Sequence, residues 1–222
     1  MAALDNIKAE PSRECPLCPR LVEFRHKHRE LNPDFHNAPV PTWLPDAEQG
    51  GAASVKLLVV GLAPGLKGAN KTGRPFTGDW AGDLLYDTLV KYEFAQGRYE
   101  ADPNDSLKLV DCAITNAVRC VPPENKPIGA EINSCRAFLN ETIASFPNLQ
   151  VLVTLGKISH DSTARTLGVR VASVPFAHNV QHEMDRFKVI SSYHCSRYNT
   201  NTGRLTERMF YDVFENARSK LA

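Results

Sequence analysis

The chain has 222 residues, 42% hydrophobic and 23% charged, and its 26 Lys and Arg against 25 Asp and Glu give a formal net charge of +1. That composition suits one domain around a single sizeable core and excludes a polycation, so any nucleic-acid contact must come from a local basic patch. No apolar run approaches the ~20 residues of a membrane-spanning helix, and residues 1–14 hold no apolar stretch of the secretory type. No membrane contact and an intracellular, reducing compartment are therefore expected, and there paired cysteines more often bind metal than form disulfides.

In chain order, the pattern opens on Cys15-Pro16-Leu17-Cys18, and Leu21, Phe24 and Arg25 suggest a short helix after it. Pro33, Pro39, Pro41 and Pro45 then fall in a stretch without periodicity that ends in Gly50-Gly51, so residues 32–54 read as an irregular connection. Residues 55–61 (VKLLVVG) are a compact apolar run with a glycine stop, a buried strand. Asp79 caps a helix carrying Leu84, Leu85 and Leu89. Residues 107–115 (LKLVDCAIT) read as a second strand, 128–146 as a helix, and 151–155 (VLVTL) as a third strand with a helix to about residue 167. Residues 187–192 (FKVISS) read as a fourth strand. The last helix starts near residue 202 and places Leu205, Met209, Val213 and Ala217 on one face.

Strands alternating with helices imply parallel pairing and an α/β fold, a three-layer αβα sandwich. The whole chain, 1–222, is expected to be one domain: an N-terminal arm and connection over 1–54 and an α/β core over 55–222. Ligands in such sheets bind beyond the carboxyl ends of the strands. That rule points to the loops after Gly61, Thr115, Leu155 and Ser192.

The first of these loops, residues 61–82, is glycine-rich between a strand and a helix, which allows close backbone approach and suits an anion at the helix N-terminus. It matches neither GxxxxGK[ST] nor GxGxxG. In the second loop Asn116 stands at a strand end; its amide, one acceptor and two donors, can read a base edge or simply cap a turn. In the last, His194 stands at a strand end ahead of Arg197 and Arg204, open to a catalytic or a structural role. Of the six cysteines, Cys15, Cys18, Cys120 and Cys135 form a four-thiolate set suited to zinc or to an iron–sulfur cluster. Cys112 reads as a core residue. Cys195 adjoins His194, but neighbours on extended chain point to opposite faces, against a direct Cys/His dyad.

Together these segments resemble the uracil-DNA glycosylase superfamily, and within it the family 5 type. The match is carried by Gly61-Leu62-Ala63-Pro64-Gly65, by the run from Gly68 through Asn70, Lys71, Gly73, Arg74, Phe76 and Gly78 to Asp79, by Thr115-Asn116-Ala117-Val118-Arg119-Cys120 with Pro122-Pro123 and Asn125-Lys126-Pro127, and by His194 with Ser196-Arg197, Asn199 and Thr202-Gly203-Arg204-Leu205-Thr206. It spans roughly residues 12–215, with Cys195 where the family's final motif usually has proline. The resemblance implies a four-stranded parallel sheet and a [4Fe-4S] cluster on Cys15, Cys18, Cys120 and Cys135. It also implies base excision from DNA that contains deaminated bases: uracil, and beside it hypoxanthine and xanthine.

In that reading Phe76 stacks on a flipped base, Asn116 bonds its edge, and backbone N–H groups near Leu62 and Ala63 take a carbonyl oxygen. Asp79 stabilises the cationic sugar and orients water, and His194 donates to the leaving base. Lys71, Arg74, Arg197 and Arg204 hold phosphates and Tyr198 is the wedge that fills the duplex. For Phe76 a plain core role stays open, as does plain N-capping for Asp79. A monomer acting in the cytoplasm, at the nucleoid, is expected. The rivals are an iron–sulfur protein that binds damage without cutting, an electron-transfer protein, and a zinc-bound nucleotide hydrolase.

Overall fold

The computed structural model describes residues 10–221; residues 1–9, the start of the expected arm, and residue 222 lie outside the described residues. Five strands form the main sheet: β1 (Leu57–Gly61), β4 (Cys112–Asn116), β5 (Val151–Leu155), β6 (Val180–Met184) and β7 (Phe187–Ser192), in the order β4-β1-β5-β7-β6. β1 pairs in parallel with β4 and β5, and β5 with β7. The register sets Gly61 beside Asn116 and Leu155 beside Ser192, so these strands end at one level.

The period-2 alternation of β1 sends its side chains to two layers. Leu57 and Val59 pack with Leu85, Leu89, Phe210 and Phe214 from the helices Trp80–Lys91 and Glu207–Ser219. Leu58 and Val60 pack with Leu139, Ile143 and Ala164 from Gly129–Ala144 and Lys157–Thr166. The sandwich is thus three layers, with buried strands that read as unbroken apolar runs.

Three elements differ from the sequence reading. The main sheet has five strands, not four: β6 pairs antiparallel with β7 through a two-residue turn with Asp185 at φ 55°. As an edge strand bearing Gln181, His182 and Glu183, it has no apolar run to announce it. The single strand read over 107–115 is two. Lys108–Leu109 (β3) pairs with Ala95–Gln96 (β2) in a separate ribbon, and Asp111 turns the chain at φ 52° before β4; aspartate is one of the few L-residues that tolerate that region. The last helix starts at Glu207, where Thr206 Oγ1 accepts from Met209 N at 3.2 Å, and a separate turn, Arg197–Asn201, precedes it.

The connection over 32–54 is irregular but anchored. Trp43 exchanges two backbone hydrogen bonds of 2.9 Å with Ile114, on the free side of β4. Beneath Trp43, with its ring 4.6 Å away, lies the guanidinium of Arg74, in a two-pronged pair with Asp105 at 2.8 and 2.7 Å. Both side chains are buried. Removing one member of such a pair leaves the other charge stranded, so Arg74→Met is expected to cost about 3–5 kcal/mol in urea unfolding; a loss below 1 kcal/mol, the level of an exposed pair, would contradict this assignment.

Candidate active site

The loop after β1 is shaped by side chains it lacks. A Cβ on Gly61 would occupy the place of Asn116 Oδ1 and the Phe76 ring, and one on Gly65 or Gly68 would stand inside the Asp79 carboxylate. The loop is held by its own bonds: Asn70 N donates to Gly65 O at 3.0 Å, Thr72 Oγ1 meets Thr77 O at 3.2 Å, and the buried Asn70 amide donates to Asn37 Oδ1 at 2.9 Å.

Asp79 sits at the N-cap position of Trp80–Lys91 with extended backbone, yet its side chain makes no cap bond. The carboxylate turns instead into the glycine cradle, where it accepts from the backbone N–H groups of Ala69 and Gly65. Burial raises its pKa above the ordinary aspartate value, and the two donors pull it partly back. The plain capping role left open for this residue is therefore not the one its side chain takes.

Phe76 is buried with φ 55°, a conformation that costs an L-residue roughly 1–2 kcal/mol. Such strain persists where surroundings over-determine it. Here the carbonyl of the preceding Pro75 accepts from Tyr86 Oη, and Tyr99 Oη donates to Phe76 O at 3.4 Å. The ring faces His194, centroids 6.0 Å apart and planes 27° off parallel.

Asn116, 3% exposed at the end of β4, finds no side-chain hydrogen-bond partner among the described residues. His194 follows β7; its carbonyl accepts from Asn199 Nδ2 at 2.8 Å, and desolvation alone pushes its imidazole down to about 4, so the ring is neutral near pH 7. Cys195 points the other way, into the core, with Sγ 3.5 Å from Ala81 O and its thiol pushed up to about 12 by burial. That thiol is no nucleophile.

Asp79, Asn116, His194 and Phe76 line one cavity of about 650 Å³, with Leu62 and Ala63 on its wall. These residues come from three loops at the carboxyl end of the sheet, those after β1, β4 and β7. A carboxylate, an unpartnered amide, a neutral imidazole and an aromatic face surround a space the size of a small-molecule site.

Over residues 48–218 the sequence matches the model of the Uracil DNA glycosylase superfamily. The chain belongs to the uracil-DNA glycosylase superfamily. Among its relatives, the type-5 uracil-DNA glycosylase of Thermus thermophilus is 37% identical over 205 residues, 92% of each chain. The type-5 enzyme of Pyrobaculum aerophilum is 32% identical over 207 residues, 91% of this chain and 87% of that protein. The type-4 enzyme of Pyrobaculum aerophilum is 30% identical over 146 residues, 65% and 66% of the two chains.

On this superfamily scaffold the expected phosphate ligands separate. Arg197 lies at the mouth of the cavity, its guanidinium 5.4 Å from the centre of the Trp80 ring. Lys71 and Arg204 are exposed, leaning on Phe35 and Tyr193, and Tyr198 is 72% exposed. Arg74 is a correction: buried and committed to Asp105, it cannot reach a phosphate. Sequence reasoning missed Trp80, 51% exposed at the mouth with Nε1 bonded to Thr200 Oγ1 at 3.1 Å. A tryptophan in the first turn after Asp79 was the available signal. It also missed Lys157, Ile158 and Ser159 on the opposite wall, at the start of a helix with no motif of its own.

Cys15, Cys18, Cys120 and Cys135 line a second, small cavity away from the first. Arg119 N donates to Cys135 Sγ at 3.4 Å. No three His, Cys, Asp or Glu side chains among the described residues stand close enough to grip a single ion. Four thiols around one hollow are a donor set that suits zinc or an iron–sulfur cluster.

The depressed His194 titration makes stability pH-dependent. Unfolded, the imidazole binds a proton near its ordinary value of 6.5; folded, only near 4. The contribution is full above about pH 6.5 and drains as pH falls toward 4. His194→Asn should flatten that part of the urea-unfolding profile; an unchanged slope between pH 6.5 and 4 would show that the ring is not desolvated.

Proposed function

We propose that this protein hydrolyses the N-glycosidic bond of uracil in DNA, and of hypoxanthine and xanthine, as the first step of base excision. The observation that carries the reading is the cradle: Asp79 held by two backbone donors and facing the cavity that Asn116, His194 and Phe76 share.

A base inside a duplex is out of reach and must rotate into the cavity. There the Phe76 ring stacks on it, and the unpartnered Asn116 amide bonds its edge. Cleavage builds positive charge on the sugar and negative charge on the leaving base. The Asp79 carboxylate stabilises the sugar and orients water. His194, neutral, offers an N–H to the base oxygen where charge grows, and a preorganised donor of this kind typically contributes about 3–4 kcal/mol. Ala63 adds neither bulk nor charge to the wall, which supports acceptance of purines beside uracil. Lys71, Arg197 and Arg204 hold phosphates, and Tyr198 fills the gap in the duplex.

Cys15, Cys18, Cys120 and Cys135 hold a [4Fe-4S] cluster that ties the N-terminal arm to the loop after Asn116 and takes no part in hydrolysis. The protein acts as a monomer on DNA in the cytoplasm, at the nucleoid, and no helix among its described residues is long and apolar enough to cross a membrane.

The test is a set of duplexes with single uracil, hypoxanthine or xanthine, incubated with the protein and then cleaved with alkali at abasic sites. Scission of all three is expected; scission of the uracil strand alone would remove the purines from the proposal. Binding of the uracil duplex without scission would establish a damage-binding protein instead. Asp79→Ala should lower kcat with little change in KM. Gly68→Ala, which displaces the carboxylate without removing it, should lower kcat by about 100-fold; a wild-type rate in either variant would remove Asp79 from the chemistry.

A further inference from the structure

Arg25 lies on the inward face of the helix Pro19–Leu31, one turn after Leu21, and is 2% exposed. Its Nη1 is 4.0 Å from Cys120 Sγ, and its Nη2 donates to Cys15 O at 3.2 Å. Its Nε is buried with no partner among the described residues. Among the described residues, the carboxylate within ion-pair distance is that of Glu14, 3.9 Å away, 61% exposed and engaged by Arg29 at 2.8 Å. Across the same hollow Arg119 is also buried, but it has Glu10 at 2.8 Å and Thr142 Oγ1 at 2.7 Å.

A guanidinium keeps its proton in a protein. Burying one is costly unless an opposite charge lies against it. Arg119 has that charge in a carboxylate. Arg25 has a peripheral, shared one, and its other polar partners among the described residues are a sulfur and a carbonyl oxygen. A cluster on four thiolates is an anion, and it would occupy the hollow that Arg25 lines.

We propose that Arg25 is the counter-cation of the cysteine-held cluster, donating to its sulfur from the helix side and offsetting the negative charge buried there. This rests on the [4Fe-4S] reading of Cys15, Cys18, Cys120 and Cys135. Reduction potentials of such clusters respond to nearby charge and to hydrogen bonds at sulfur. Without Arg25 the added electron is less welcome, and the cluster is held less firmly.

The experiment compares the full chain with Arg25→Met and Arg25→Lys, each assembled anaerobically and assayed for iron and sulfide. The midpoint is read in a dithionite titration that delivers one electron per cluster, and cluster loss from bleaching by a chelator. Arg25→Met is expected to shift the midpoint to more negative potential and to bleach about 10- to 100-fold faster, the usual cost of losing an outer partner of a metal site. Arg25→Lys should recover part of the midpoint shift, which a merely structural role would not produce. A folded Arg25→Met protein with wild-type midpoint and bleaching rate overturns the proposal. If Arg25→Met does not fold, the neutral Arg25→Gln takes its place: a more negative midpoint with faster bleaching supports the proposal, and a wild-type rate and midpoint overturn it. A wild-type chain free of iron and sulfide overturns the cluster reading itself, and this proposal with it.

Discussion

Gly61 is the last residue of β1, and the place where its side chain would stand is filled by the Asn116 amide oxygen and the Phe76 ring. This close approach follows from the parallel register of β1 and β4, which sets Gly61 beside Asn116. Once Phe76 is drawn in, the chain must turn back through a left-handed residue, and the run to Asp79 follows a fixed path over Gly65 and Gly68. The carboxylate is therefore positioned from the centre of the sheet outward rather than by the helix it precedes. A single methyl group at Gly61 would disturb two groups of the cavity together, the Asn116 amide and the Phe76 ring.

The cost of this arrangement is a set of polar groups left without partners in a largely apolar hollow. Asn116 lacks a side-chain partner among the described residues, and His194 is stripped of water strongly enough to stay neutral. Buried polar groups of this kind destabilise a fold unless something else satisfies them. The rest of the first loop compensates by being densely bonded to itself and, through Arg74 and Asp105, to the segment ahead of β3. Rigidity around the hollow and incomplete bonding inside it go together: a ligand completes the network instead of rebuilding it.

Where the sequence was legible, burial made it so. β5 and β7 run over 151–155 and 187–192 as their apolar runs predict, and Asp79, Asn116 and His194 converge because they follow strands that end level. Where it was not, the deciding fact was a partner far along the chain. β6 is a strand only because β7 offers it an edge. Arg74, read as a surface cation from its glycine-rich setting, is neutralised by Asp105, thirty-one residues on. Trp80 carries no periodicity signal, since its role is set by Arg197 and Thr200 across the mouth. Local pattern reports which faces are apolar; it does not report which charges find each other.

Trp43, itself outside any regular strand, pairs with Ile114 of β4 through two backbone bonds. At the opposite margin β6 presents Gln181 and Glu183 to solvent. An open sheet is a template to which another extended chain can attach, and here one margin is stitched shut by the protein's own connecting segment while the other is made polar. The irregular stretch between the cysteine helix and β1 thus serves as a hem: it lets a sheet of apolar strands sit at high local concentration along a polymer without recruiting a neighbour's strand into a growing fibre.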